Sequence, residues 1–397
     1  MKAKKKNFPY KHERLNKGIR AIYTAFNILT AIITVLAAYG GKVNPDTSTI
    51  PALLAMTFPA WMALTLLLTI INLIFFRKTA IIGGVTFFLC LGPFLSVCPL
   101  NVSTDKLTPD EEKRSFTLLS YNVYGLNDYR DPISPKDIST LQEECKAGKS
   151  NPTMSHIIQQ DADILCLQEF YLNFALNSPV FSREMCDTII TMYPHRVSGI
   201  NSAILSKYPL YPVKLRQPDS HTGGWVGAIA NIQGHRTLII SVHLESIGLD
   251  NNDKELYHEL TKGGDGTTFS EVRHQLLSKL SRAFRKRAEQ ARELRQQIDS
   301  IGIRNVIVAG DFNDIPDCYA MRTIAGNDFR SSFATAGFGP KITYHANRFY
   351  FHIDHILFRG QLKATSFGVD TYNRSDHYAI DTRFIWDKDA ETTSTQL

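Results

Sequence analysis

The sequence predicts a chain in two parts: three membrane-spanning helices, then an α+β domain built around buried strands. Two observations carry this expectation. Residues 21–40, 50–76 and 79–100 contain no Asp, Glu, Lys or Arg. Downstream, six runs pair four to six apolar, often β-branched residues with a polar side chain at one end: TLLSYNV, DILCLQEF, LIISVHLES, NVIVAGDFND, FHIDHILF and NRSDHYAI. Runs of that length and composition signal strands buried on both faces or lying in a sandwich core.

Each uncharged stretch reaches the roughly 20 residues a helix needs to cross a bilayer with its backbone satisfied internally. Transmembrane helices are therefore expected at 21–40, 50–76 and 79–100. A cleaved signal peptide would share the basic start and apolar middle of the first stretch, but that stretch is longer than a usual signal core and two more follow it. Residues 1–20 hold eight basic residues, against Lys42 alone in the first loop and Arg77 with Lys78 in the second. The positive-inside rule then puts the basic tail (1–20) and the second loop in the cytoplasm, and three crossings leave residues 101–397 outside. The expectation is a multi-pass protein of the cell membrane, the inner membrane if the cell is Gram-negative, with its downstream domain on the periplasmic or extracellular side.

That orientation changes how the net charge of +6 reads, because residues 101–397 carry 33 basic against 36 acidic residues, a net of −3. A duplex-binding enzyme usually presents a basic footprint to phosphates. Here basic residues concentrate only between 273 and 295, within a stretch from about 269 to 300 that has no Gly or Pro. Val272, Leu276, Leu280, Phe284, Ala288 and Ala291 recur there at helical spacing. A long amphipathic helix is expected, either covering a sheet with its cations solvated or lying near anionic headgroups or a polyanionic substrate.

Residues 101–115 (NVSTDKLTPDEEKRS) read as a polar linker that reaches at most about 50 Å when extended. The main domain is expected over 116–390, with loops at 127–153 and 246–268 and a disordered tail at 391–397. Loops of that size lie on the surface and often carry specificity. The six cysteines share no metal-ligand spacing, and no disulfide is required.

The polar ends of the six runs are Asn122, Glu169, His243, Asp311 with Asn313, Asp354, and Asp376 with His377. Taken singly, each could be a turn or cap residue. Taken together, at the ends of buried strands, they converge on one edge of a sheet and suit phosphoester chemistry. A phosphodiester's anionic oxygens repel a nucleophile, and the departing alkoxide is a poor leaving group. Oxygen donors from carboxylates and amides hold Mg²⁺ or Mn²⁺ rather than zinc, and such an ion neutralises both.

In order and wording these segments resemble the endonuclease/exonuclease/phosphatase (deoxyribonuclease-I-like) superfamily over roughly residues 115–388. The resemblance rests on Leu167-Gln168-Glu169, Gly310-Asp311-Phe312-Asn313 and Ser375-Asp376-His377, supported by Ala203–Lys207 and Ile353–Ile356. It implies a four-layer α/β sandwich of two packed, mainly antiparallel sheets with flanking helices. It also implies Mg²⁺-dependent (or Mn²⁺-dependent) hydrolysis of a phosphoester by direct water attack. Glu169 would hold the metal, Asn122 would support the same ion directly or through water, and Asp376 would be a further ligand or a carboxylate behind the ligands. Asp311 would align or deprotonate the attacking water, Asn313 and His243 would bind the scissile phosphate, and His377, oriented by Asp354, would contact a non-bridging oxygen as imidazolium. Gly310 would let the backbone turn sharply behind Asp311.

His355 stands where the resemblance would put Tyr and is expected to pack, and His352 stands where Arg is common. His221, His235, His258, His274 and His345 are expected on the surface or in loops, and Lys207 in a structural role. The expected function is a membrane-anchored phosphoesterase, a hydrolase whose substrate is nucleic acid or phospholipid, with no protein partner. The alternative is a non-catalytic membrane protein that retains the fold.

Overall fold

The uncharged stretches fold as helices, but not as three uninterrupted ones. The computed structural model describes residues 10–102, 106–127, 143, 151–172, 176, 181–220, 222–248, 266–346 and 349–387. The 391–397 tail, most of the 127–153 and 246–268 loops, His221 and His258 lie outside the described residues. Helix α1 spans Tyr10–Tyr39; the second stretch divides into α2 (Ile50–Met56) and α3 (Phe58–Phe75), and the third into α4 (Arg77–Leu89) and α5 (Leu91–Val97).

Two segments, Lys17–Lys42 and Phe58–Phe75, are long and apolar enough to cross a membrane, and α4 with α5 makes a third only if the pair, bent by 65°, is one span. Prolines account for both interruptions. Pro59 sits in the first turn of α3, where its missing N–H is harmless, but it cannot extend the ladder of α2. Pro93 cannot donate to the Leu89 carbonyl and its ring crowds that turn. The expected spans 50–76 and 79–100 are therefore each broken.

Polar side chains join α1 to α3. Asn72 accepts from Tyr23 Oη at 2.8 Å and donates to Asn27 at 2.7 Å, and the Thr34 and Thr65 hydroxyls lie 2.8 Å apart. Such bonds compensate polar groups held among apolar helices. These helices belong to one compact unit, Met1–Val43 with Ile50–Leu95; the other is Asn44–Thr49 with Ser96–Leu397.

In the second unit the linker is pinned rather than extended. Asn101 donates to the carbonyls of Ala334 and Gly337 at 2.9 and 3.0 Å, and Gly339 N–H donates to Pro99 O at 2.7 Å. The short helix α6 (Pro109–Lys113) follows, closed by a capping box between Thr108 and Glu111.

Twelve strands follow among the described residues: β1 (Ser115–Asn122), β2 (Ile164–Gln168), β3 (His195–Ser198), β4 (Ser202–Ser206), β5 (Leu210–Val213), β6 (Gly224–Ile232), β7 (His235–His243), β8 (Asn305–Asp311), β9 (Arg330–Ser331), β10 (Asp354–Arg359), β11 (Leu362–Asp370) and β12 (Ala379–Trp386). They form two six-stranded sheets, β11-β12-β1-β2-β4-β3 and β5-β6-β7-β8-β10-β9. Each sheet has one parallel pair at its centre, β1 with β2 and β7 with β8, and is otherwise antiparallel.

Successive side chains on a strand point to opposite faces, and both faces are buried. Leu118, Ile164, Cys166, Ile239, Ile307, Ala309, Ile356 and Phe358 fill the space between the sheets. Leu119, Leu165 and Leu167 pack outward against α7 (Pro152–Gln159) and α8 (Arg183–Met192), through Met154, Ile157, Met185 and Ile189. Leu238, Ile240, Val306 and Val308 pack outward against Ala291, Leu294 and Ile298 of α9 (Gly266–Ile301), with Met321 and Ile324 of α10 (Tyr319–Ala325). This is why the runs read as continuous apolar stretches. A last helix, α11 (Ser332–Ala336), lies beside β9 in the chain.

The period of two places the site. Continuing the inward row from Leu118 leads to Ser120 and Asn122, from Ile164 to Gln168, from Ile239 to Ser241 and His243, and from Ile307 to Asp311. The inter-sheet core thus grades from apolar, through a layer in which Gln168 donates to Ser241 at 3.0 Å, to a polar mouth. Parallel pairing brings the C-terminal ends of β1, β2, β7 and β8 to that mouth. The antiparallel strands β10 and β12 begin there. Hence the polar residue closes the first four runs but opens FHIDHILF and NRSDHYAI.

Candidate active site

Asp311 is the centre of the mouth. Register pairs it with His243 across β7 and with Asp354 across β10. It is 1 % exposed, so each carboxylate oxygen must find donors inside the protein. Oδ1 accepts the Asn313 N–H at 2.7 Å. Oδ2 accepts Nδ2 of Asn122 at 3.1 Å and of Asn313 at 3.2 Å, and lies 3.5 Å from Nε2 of both His243 and His377.

Close strand approach sets the Asp311 backbone. Gly310 is inside β8, and a Cβ there would fall 1.8 Å from the Val242 carbonyl oxygen. The glycine is needed for contact with β7, not for the sharp turn the sequence led us to expect. The turns come after it and after β2. Asn313 (φ 52°) and Glu169 (φ 53°) both hold left-handed backbone, a conformation that persists where the surroundings enforce it and that marks functional sites.

The remaining residues assemble around this carboxylate. Asn122 also donates to Glu169 Oε1 at 3.0 Å, and its own carbonyl accepts Ser375 Oγ at 2.7 Å. His377 Nδ1 lies 2.9 Å from Asp354 Oδ2. Burial lowers the His377 pKa, but Asp354 and Asp311 overcome that and hold it well above the usual 6.5. Asp376, next along the chain, is pushed up to about 6: burial raises it, His377 opposes, and Glu169 and Asp311 add to the rise.

All eight residues singled out by the sequence are therefore in one place. Others join them. Asn201 donates to Thr222 O at 2.6 Å and lies 3.3 Å from His243 Nδ1. Thr343 Oγ accepts the N–H groups of Ile353 and Asp354 at 2.9 and 3.1 Å. The ring of Tyr344 meets that of His377 edge-on at 5.0 Å, and His345 N–H donates to Asp376 O at 3.1 Å. Asn201 heads the apolar run SAILS much as Asp354 heads HILF, a signal that could have found it. Tyr344 and His345 sit in no such run; His345 lies in a loop, as expected, and that loop borders the site.

The other histidines behave as framework. His355 is buried, lies 2.9 Å from the Asp314 carbonyl and is pushed down to about 4, mainly by burial. His352 stacks on Phe333 at 4.2 Å, and His235 stacks on Trp386 at 4.0 Å. His274 is exposed. Lys207 bridges Asp161 and Asp163 at 2.8 and 3.4 Å, tying the end of β4 to the start of β2.

A family model described as the endonuclease/exonuclease/phosphatase family matches residues 119–377. The chain belongs to that family. Its members are generally hydrolases of phosphoester bonds and typically use a divalent metal. A second model, a domain of unknown function (DUF8431), matches residues 20–97 of this family member. No curated protein sequence matches it.

Among solved structures, the chain is similar to truncated Caenorhabditis elegans TDP2, with 18 % identity, a TM-score of 0.42 and coverage of 68 % of this chain and 98 % of that one. It is also similar to an endonuclease/exonuclease/phosphatase family protein from Bacteroides thetaiotaomicron, with 17 % identity, a TM-score of 0.44 and coverage of 69 % and 98 %. A third is D. rerio TDP2 complexed with single strand DNA product, with 14 % identity, a TM-score of 0.42 and coverage of 68 % and 98 %.

The donor set of this family member fits a hard cation. Glu169, Asp311, Asp354 and Asp376 bring four carboxylates to one mouth; burial is the main cause of the raised Asp376 pKa, and Glu169 and Asp311 add to it. Asp311, Asp354 and His377 each offer a ligand atom, all within 4.8 Å of one another. Of these, Asp354 and His377 are already bonded to each other, which leaves Glu169 and Asp376 as carboxylates outside that pair; Asn122 turns its amide nitrogen toward Glu169 and Asp311, and its Oδ1 accepts the Tyr124 N–H at 3.1 Å.

Proposed function

We propose that this chain is a membrane-anchored, divalent-metal-dependent phosphoesterase that hydrolyses phosphodiester bonds of nucleic acid or phospholipid. The observation that carries the reading is the single carboxylate oxygen, Asp311 Oδ2, on which Asn122, Asn313, His243 and His377 converge. A scaffold protein has no use for two imidazoles and two amides aimed at one buried acid.

In this reading Asp311 orients the attacking water and accepts its proton. Its amide neighbours hold the carboxylate so that it need not reorganise during reaction. His243 and His377 reach the same region from β7 and from the turn before β12, and donate from Nε2 to the phosphoryl oxygens. Asp354 keeps His377 charged for that task. Asn313, its backbone in the left-handed region, would donate to the scissile phosphate by giving up one of the two acceptors its amide now holds, Asp311 Oδ2 and the Leu244 carbonyl. Mg²⁺ or Mn²⁺ held by Asn122, Glu169 and Asp376 would supply charge neutralisation on the phosphoryl group and leaving oxygen.

Membrane anchoring rests on α1, on α3 and on the bent pair of α4 and α5 acting as a third crossing. Asn44–Thr49, which follows the first crossing, belongs to the same compact unit as Ser96–Leu397. Segments after one crossing and after three share a side of the membrane; segments after one and after two do not. This favours a complete third crossing, with the catalytic domain outside and the basic N-terminal tail in the cytoplasm. A reporter fused after residue 387 is expected to read out on the external side.

The full chain in neutral detergent tests the activity, given supercoiled plasmid, a phospholipid and bis(p-nitrophenyl) phosphate, each with Mg²⁺ or a chelator. Hydrolysis that requires both the ion and Asp311 supports the proposal, and the substrate cleaved names the class. No Asp311-dependent turnover of any of the three would leave the non-catalytic alternative standing.

A further inference from the structure

Helix α9 has two faces with different fates. Ala283, Phe284, Ala288, Ala291, Leu294 and Ile298 are buried, the last three of them against the second sheet. The opposite face turns Arg282, Arg285, Lys286 and Arg292 outward at spacings of three, one and six residues, and with Asp46 and Glu289 they line a pocket of about 470 Å³. Four cations against two acids leave a net of two positive charges.

Those charges are unevenly satisfied. Arg292 pairs with Asp46 at 2.8 Å, and Lys286 with Glu289 at 3.4 Å. Arg285 donates from Nε to the Pro45 carbonyl at 3.4 Å. Neither Arg282 nor Arg285 has an acidic partner among the described residues. Guanidinium groups in that state match the geometry of a phosphate, which accepts paired N–H donors.

The rim of the pocket identifies the source of the phosphate. Asp46 and Pro45 belong to Asn44–Thr49, the segment that joins α1 to α2, and Thr49 Oγ lies 3.0 Å from Ser281 Oγ of α9. Asp46 is four residues beyond Lys42, the end of the first apolar span, hence no more than about 14 Å along a fully extended chain. A short loop between two membrane helices lies at the bilayer surface, where phosphate-bearing headgroups are the most concentrated anions.

We infer that the outer face of α9 and the Asn44–Thr49 loop form a non-catalytic binding site for an anionic phospholipid headgroup. The site rests on the membrane reading of α1 but not on hydrolysis, since none of its residues belongs to the mouth around Asp311. It would hold the catalytic unit against the bilayer through its own cations, in addition to the covalent link through α5.

Native mass spectrometry of the full chain in neutral detergent tests the site, with dihexanoyl-phosphatidylglycerol as probe, and dihexanoyl-phosphatidylcholine and inorganic phosphate as comparisons. Wild type is expected to retain the anionic lipid preferentially. The variant carrying Arg282→Gln, Arg285→Gln and Lys286→Gln should lose about fivefold in retention for each cation removed. Equal retention by wild type and variant overturns the proposal. So does displacement of the lipid by inorganic phosphate at the same concentration, which would make this a free-anion site. If the triple variant does not fold, Arg282→Gln alone decides, because it breaks no ion pair among the described residues. A chain that is recovered in solution without detergent would instead overturn the membrane reading.

Discussion

Nδ1 of His377 lies 2.9 Å from Oδ2 of Asp354, with both side chains buried. Burial alone would empty the imidazole of its proton, and Asp354, helped by Asp311, is what keeps it. Replacing Asp354 by Asn keeps the shape and removes the charge. The His377 pKa should fall, and with it the alkaline limit of the kcat/KM profile. About a 10²-fold loss is expected at pH 8, as for removal of one preorganised donor, and less at pH 6. Stability should follow the same group. A folded pKa raised above the unfolded 6.5 gives stability that is complete below about pH 6.5 and is lost as pH rises through the folded value. Urea midpoints taken across that window should decline for wild type and stay flat for Asp354→Asn. Superimposable profiles for the two proteins would remove His377 from the proposed role.

Asp311→Asn tests the centre of the site. The variant should lose about 10² to 10⁴ in kcat, the range for a positioned general base. It should also lose stability. The new amide can turn only one acceptor oxygen toward four surrounding donors, and a buried donor left unpaired costs about 1–3 kcal/mol. Turnover of a small diester and thermal unfolding measure the two effects separately. Unchanged kcat would show that the carboxylate neither orients nor deprotonates the water.

Much of this site was legible in the sequence because its residues end strands buried on both faces. Asn122, His243 and Asp311 continue inward-facing rows, and the period of two that buries Leu118, Ile239 and Ile307 also aims their polar successors into the mouth. The long helix was legible for the same reason, at a period of 3.6. What could not be read is non-local. Asn101 meets Gly337 across 236 positions, so a polar segment that looks like a free linker is pinned. Arg287 looks like one more solvated cation of a basic helix, yet it is 1 % exposed because Asp314 and the Glu245 carbonyl wait beneath it. The membrane helices erred the other way. No charge interrupts the stretches at Pro59 or Pro93, whereas the helices break close before both.

Metal and proton should compete at Asp376. Its folded pKa of about 6 lies above its ordinary 3.8, so the metal-free native state binds the proton more tightly than the unfolded chain does. Stability of the metal-free protein should therefore fall as pH rises from about 4 through about 6. A divalent cation needs the deprotonated carboxylate and should reverse that loss. Mg²⁺ is expected to raise the thermal midpoint more at pH 7.5 than at pH 5, and Asp376→Asn or Glu169→Gln to flatten the difference. A Mg²⁺ effect equal at the two pH values would place the ion elsewhere.

Arg287 joins the outer helix to the loop that carries Asn313. Its Nε donates to Asp314 Oδ2 at 3.2 Å and its Nη1 to Glu245 O at 3.0 Å. Glu245 adjoins Leu244, whose carbonyl accepts Asn313 Nδ2 at 3.0 Å. Arg287→Met keeps most of the volume and strands the Asp314 carboxylate, which is 7 % exposed. Losing one partner of a buried ion pair typically costs about 3–5 kcal/mol. Adding Asp314→Asn removes the stranded charge while keeping an oxygen for the Ile315 N–H that Asp314 now accepts at 2.9 Å, and should restore a good part of the loss. Urea unfolding at unchanged m-value measures both steps. Destabilisation of the single variant by less than about 1 kcal/mol, the range of an exposed pair, would show that water reaches Asp314 and that α9 does not brace the catalytic loop.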